Sequence, residues 1–229
     1  MTPRIEDALA GAQAFRTLGR AFAPVPVLAP LAADLDAWRA RSSGPIAVAL
    51  AAACEALRVE GDQLADEQDR LLGGRGGVPA RESSYADPRR IAPSDLADAC
   101  AFHRAFGLEA GESPPDHIAS ECELASILLL KVAYALAEGW SEQAETTEAA
   151  YRSWISDHLA RWAPDLCARI REEAPFAFHR AVAETLEQLV VEESTRLGVE
   201  LHAPVCKART ESDVFDCASH CPAAAGECR

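Results

Sequence analysis

PPDHIASECELASILLLKVAYALAEG, residues 114–139, decides how the rest of the chain is read. Pro114, Pro115 and Asp116 open the stretch and Gly139 closes it. Between them Ile118, Cys122, Ala125, Leu129 and Val132 recur at three- and four-residue intervals. That period lays one apolar stripe along a helix, and no alternation of β-branched and polar residues competes with it. Proline suits a helix's entrance and glycine its exit, and Asp116 is the expected cap.

The same pattern extends in both directions. C-terminally, Ser141 is the expected cap of a helix carrying Ala144, Thr147, Tyr151, Trp154, His158 and Trp162. Pro164 opens a short helix to Glu173, and Pro175 opens a last one to Leu197, stopped by Gly198. N-terminally, Ser94 caps a helix that runs to Phe106 and stops at Gly107. A long helix starts near Pro45 and reaches Leu71, with a break expected near Gly61. Leu31, Leu35 and Trp38 mark a short helix after a stiff Pro24–Pro30 connector. Ile5, Leu9, Ala12, Phe15 and Leu18 mark the first helix. The stretch from about 73 to 93 is rich in Gly, Pro, Ser and Arg and has no period. It lacks the Gly-Lys-Ser/Thr ending of a phosphate loop, and no strand precedes it. The fold expected is all-α: one compact multi-helix bundle over residues 1–198, followed by a cysteine-rich C-terminal tail over 199–229. No 20–50-residue repeat points to a solenoid.

Composition narrows the function. The chain has 229 residues, 49% hydrophobic and 25% charged, with 22 Lys+Arg against 36 Asp+Glu for a net −14. A nucleic-acid backbone or an anionic membrane would be repelled. No apolar run reaches the length of a membrane span. The first residues lack the pattern of a secretory signal, so a cytoplasmic location is expected.

Two constellations could carry chemistry. The first is Asp116 and His117 with Glu121 and Glu123. His117 and Glu121 are four apart and share a helix face. From Asp116 to Ala150 there are seven acids and one base, Lys131. Acidic surface beside apolar residues suits a peptide that combines arginine with a hydrophobic run. The plain reading is a helix start whose acids complement the positive end of its dipole. Hydrolytic catalysis by His117 is the weaker reading, because no phosphate cradle accompanies it. The second constellation is Cys206, Cys217, Cys221 and Cys228, four thiols in the last 24 residues, enough for zinc or an iron–sulfur cluster. Cys54, Cys100, Cys122 and Cys167 are scattered on apolar faces and read as small buried hydrophobes.

Five ordered segments resemble the TorD/DmsD family of cytoplasmic chaperones for molybdenum-cofactor oxidoreductases. Pro114 to Leu124 resembles its Pro-Asp-His signature helix, and Val78 to Tyr85 its Pro-Tyr-Glu-Ser loop, with Ala80 where the family has an aromatic. Phe102 to Leu108 resembles its aromatic-to-glycine stop, His158 to Trp162 its His-Leu-x-x-Trp, and Ala174 to Ala181 its Pro-Phe-Tyr-Arg-Ala segment. The resemblance implies a TorD-like bundle and a chaperone that is not an enzyme. Such a chaperone binds the twin-arginine leader and apo form of a molybdopterin-dependent catalytic subunit, assists cofactor insertion and prevents premature export. Asp116, His117, Glu121 and Glu123 would then meet the leader's guanidinium groups, with His117 shaping the site or tuning it with pH. Tyr85, Leu71 and Leu72 would meet its apolar run. Replacing Asp116 and His117 together is expected to weaken leader binding and leave the bundle folded. The chaperone role requires no cofactor. The state expected is a monomer, or a dimer swapped across the 73–93 loop. The alternative is a metal or Fe–S sensor or electron-transfer protein working through the tail cysteines.

Overall fold

The computed structural model describes residues 2–24, 26–73, 77–85, 93–108 and 113–201. Among them are nine α-helices: α1 (Pro3–Ala21), α2 (Leu28–Arg39), α3 (Gly44–Glu60), α4 (Leu64–Leu72), α5 (Pro93–Ala105), α6 (Ile118–Ala137), α7 (Ser141–Trp154), α8 (Ala160–Glu173) and α9 (Ala177–Leu197). The described residues form no strand, only one isolated antiparallel bridge between Arg81 and His117. The fold is the all-α bundle expected. No helix among the described residues is long and apolar enough to cross a membrane.

α6 is the most apolar helix and lies at the centre. It packs mainly on α1 and also on α7, while α9 is covered by α3 and α8. Phe15, Leu18, Leu50, Ile118, Cys122, Leu128, Trp154, Phe178 and Leu186 are fully buried. Each such side chain is worth roughly 1.5–3 kcal/mol relative to exposure. α1 approaches α6 closely because Gly19 has no Cβ. One there would lie 3.2 Å from the carbonyl of Ala119 and 3.1 Å from Glu123 Cγ. The Ser126 hydroxyl adds a bond to the Ala12 carbonyl at 2.8 Å.

Most termini follow from sequence and a few do not. Gly107, Gly139 and Gly198 all adopt positive φ at or just beyond helix ends, where a side chain would be strained. The break near Gly61 is a 3₁₀ turn, Gly61–Gln63. Pro30 lies inside the first turn of α2, so the stiff connector is shorter than expected. α6 is capped by the imidazole of His117 and not by Asp116: Nδ1 accepts the Ala119 amide at 3.1 Å. α5 already begins at Pro93, which puts Ser94 inside the helix. Ser141 is likewise the first residue of α7, and Trp140 before it supplies no side-chain cap. Pro164 does not open a helix; it sits within α8. α7 and α8 instead join through a π turn, Ile155–Leu159. The start of α9 is capped from a distance: Glu60, at the end of α3, accepts the amides of Ala177 and Phe178, each at 2.9 Å.

Cys54, Cys122 and Cys167 are buried free thiols, and Cys100 is half-buried. Burial pushes all three buried thiols above their ordinary range, so they behave as apolar filling. Cys206, Cys217, Cys221 and Cys228 lie outside the described residues, as does most of the 199–229 segment.

Candidate functional site

The site assembles around a short strap, residues 78–85. Its lack of helical period is explained by its partners, which lie elsewhere in the chain. The Val78 amide bonds to the Leu71 carbonyl at 2.6 Å, the Ile118 amide to the Ala80 carbonyl at 2.9 Å, and the Glu82 amide to the Asp116 carbonyl at 2.9 Å. The strap thus lies antiparallel to the entrance of α6. The Tyr85 hydroxyl donates to the Pro79 carbonyl at 2.9 Å, and its ring lies 5.2 Å from that of Trp162.

Asp116 is 0% exposed and its carboxylate is already engaged. Arg81 Nε lies 3.1 Å from Oδ1 and 3.3 Å from Oδ2, with the Arg81 side chain 32% exposed. Glu121 is also 0% exposed. Its Oε2 accepts the Trp162 indole N–H at 2.9 Å, and its backbone carbonyl accepts that of Trp154 at 3.1 Å. Burial first, and then the Glu82 charge, raise the Glu121 carboxyl well above the usual carboxylate range. His117 is pushed down to about 4 by burial, against the opposing pull of Asp116. Its Nδ1 must stay unprotonated to cap α6, so it is neutral at neutral pH and does not tune the site there.

These positions correct the expectation of an open acidic groove at the start of α6. Asp116, Glu121 and His117 face inward with protein partners, and Tyr85, Leu71 and Leu72 are core residues. Of the seven expected contacts only Glu123 is exposed. Residues that share its face at helical spacing supply what the buried ones do not. Ile127 is half-buried, Leu130 is 45% exposed and Tyr134 58%, and Glu138 ends the row. Trp140, also exposed, stands edge-on to Tyr134 with ring centroids 5.5 Å apart. The outer face of α6 is therefore an apolar stripe bracketed by two carboxylates.

Beneath the strap the structure brings together residues that sequence spacing keeps far apart. His158, from the π turn, donates from Nδ1 to Glu82 Oε2 at 2.7 Å. Arg161 Nη1 lies 3.4 Å from Glu82 Oε1 and 3.5 Å from Asp95 Oδ1. His158 Nε2 is 3.5 Å from Asp98 Oδ2, and its ring lies 4.0 Å from that of Trp154. Glu82, His158 and Trp162 have no local pattern that marks them as site residues, although each lies in a segment that resembles the family. Their recurrence in ordered segments was the one signal available, since nothing local pairs residues 76 positions apart.

Three of the five resembling segments, those holding Glu82, Glu121 and His158, thus converge on one buried cluster. The chain is 29% identical over 168 residues to the chlorate reductase assembly chaperone protein of Ideonella dechloratans, covering 72% of this chain and 82% of that protein. Residues 41–168, which include α3 to α7 and the strap, match the family described as nitrate reductase delta subunit. The chain belongs to that family, the TorD-like group of molybdoenzyme maturation proteins.

Proposed function

We propose that the protein is a dedicated assembly chaperone, without catalytic chemistry of its own, for the catalytic subunit of a molybdopterin-dependent oxyanion reductase. It works in the cytoplasm, where it binds the subunit's N-terminal twin-arginine leader, holds the apo form open for cofactor insertion and delays export. The chlorate reductase relative supports an oxyanion reductase as the class of client.

The observation that carries leader recognition is the outer face of α6. A leader with paired arginines and an apolar run needs carboxylates next to exposed apolar surface. Glu123 and Glu138 bracket Leu130 and Tyr134 in that arrangement. Guanidinium–carboxylate bonds at the ends fix register, and burial of the apolar run supplies most of the free energy. Asp116 and Glu121 act one layer below: they anchor the strap and the start of α6 and so hold this face in place.

The test begins with a pull-down from native cells, which identifies the co-purifying large subunit. Titration calorimetry then uses a synthetic peptide of that subunit's leader. Glu123→Gln with Leu130→Ser should weaken binding by tenfold or more with an unchanged circular dichroism spectrum. Wild-type affinity in that variant refutes the docking face. Absence of any reductase subunit from the pull-down refutes the chaperone role.

A further inference from the structure

We propose that Glu82, Glu121 and His158 form a buried site for one first-row divalent cation, Zn²⁺ being the best fit. The site is independent of how the client is recognised. One ligand atom from each residue lies within 4.8 Å of the other two, and all three side chains are buried. A tetrahedral zinc with bonds near 2.0–2.1 Å needs its ligands about 3.3 Å apart. Side-chain adjustments of about 1 Å would close the set.

Three observations point to a cation. Glu121 Oε1 is buried and has no hydrogen-bond partner among the described residues, while Trp162 holds Oε2 and fixes the plane of the carboxylate. A buried carboxylate oxygen left bare is costly unless something positive joins it. Charge is also unbalanced. Four buried carboxylates, on Glu82, Asp95, Asp116 and Glu121, are served by two guanidinium groups, on Arg81 and Arg161. When Glu121 gives up the proton that its burial favours, two negative charges remain beside a neutral His158, and a divalent cation supplies two positive ones. The third observation is the π turn, a rare irregularity that recurs at functional sites and here carries His158.

The ligand chemistry is one imidazole nitrogen with two carboxylates, which suits a borderline-hard divalent ion better than a soft one. His158 would bind through Nδ1, and the metal would take the place of the proton it now shares with Glu82 Oε2. The imidazole proton then moves to Nε2, where Asp98 Oδ2 lies 3.5 Å away. A carboxylate behind a metal-bound histidine is the usual outer support of such sites. The cation would bind the strap, α6 and the π turn into one unit.

The test uses the full chain with Cys206, Cys217, Cys221 and Cys228 changed to serine, so that tail thiolates contribute nothing. The protein is stripped with chelator, loaded with Zn²⁺ and assayed by mass spectrometry of bound metal and by thermal melting. Cobalt substitution reports the ligand type. One equivalent of zinc, a melting temperature raised by several degrees and a cobalt spectrum without thiolate charge transfer are expected. Glu121→Gln should reduce affinity at least tenfold. Asp98→Asn, at a 58% exposed side chain where folding is not at stake, should reduce it by about tenfold. Less than a tenth of an equivalent bound with no melting shift would overturn the site. So would unchanged affinity in the Asp98→Asn variant.

Discussion

Replacing Arg81 with methionine should destabilise the protein by about 3 kcal/mol at pH 7. The number follows from an asymmetry of burial. Asp116 has no exposed surface and its carboxylate accepts Arg81 Nε on both oxygens, whereas the Arg81 side chain is one-third exposed. Removing the guanidinium strands a buried charge, for which roughly 3–5 kcal/mol is usual. The partial exposure of the pair puts this case at the lower end. Removing the other partner, by Asp116→Asn, leaves a guanidinium that can turn to water and should cost only about 1 kcal/mol. The double variant strands nothing and should be more stable than Arg81→Met alone. Urea unfolding followed by circular dichroism measures all four proteins. With a slope of roughly 2–3 kcal/mol/M, the Arg81→Met midpoint should fall by about 1 M. A loss below about 1 kcal/mol, or single effects that simply add, would refute the assignment of Asp116 as a buried anchor of the strap. The same cycle bears on leader binding. If Asp116 held the leader's arginine directly, Asp116→Asn would abolish binding with stability intact, the reverse of what its burial predicts.

Two other outcomes follow from separate parts of the bundle. His179 donates from Nε2 to Gln68 Oε1 at 2.7 Å, and burial pushes its pKa down to about 4, against the pull of Glu67 and Glu60. The unfolded chain therefore binds more protons between about pH 6.5 and pH 4. Stability is complete above that window and is lost as pH falls through it, by about 2 kcal/mol at pH 5 relative to pH 8. His179→Gln should lose this part of the pH dependence, and a wild-type unfolding free energy from urea titration that is the same at pH 5 as at pH 8 would contradict it. At the α1–α6 contact, Gly19→Val should cost about 1–3 kcal/mol by overpacking, because the Ala119 carbonyl cannot retreat as a side chain can. A melting temperature at or above that of the wild type would show that the two helices separate easily.

Local pattern was enough for most of the fold. The spacing of Ile118, Cys122, Ala125, Leu129 and Val132, and the glycines at 107, 139 and 198, depend on neighbours within a turn or two, and the structure agrees with them. The partners of the site are separated by much more. Asp116 meets Arg81 across 35 positions and His158 meets Glu82 across 76, both through a strap with no period of its own. Which carboxylates near Asp116 face inward depended on that strap, so Asp116 and Glu121 read as groove residues while Glu123 alone stays outside. The Glu60 cap on α9 was hidden for the same reason, 117 residues from the amide it serves. The row of Leu130 and Tyr134 had no place in the stripe from Ile118 to Val132, because its exposure depends on which side of α6 the other helices cover.

The π turn sets a constraint on chain length. An α-helix advances about 100° per residue. The π turn between Ile155 and Leu159 takes up one residue more than an α-turn would, so α8 keeps the rotational phase it would have without that residue. Deleting one residue there would restore a regular helix with α8 nearly in its present phase, whereas a second deletion would find no such turn to absorb it and would swing α8 by about a quarter-turn. Trp162 would then point away from Glu121, and Leu166 and Ile170 would rotate out of the interior. The backbone between Trp154 and Trp162 should therefore absorb one deletion that spares His158, but not a second.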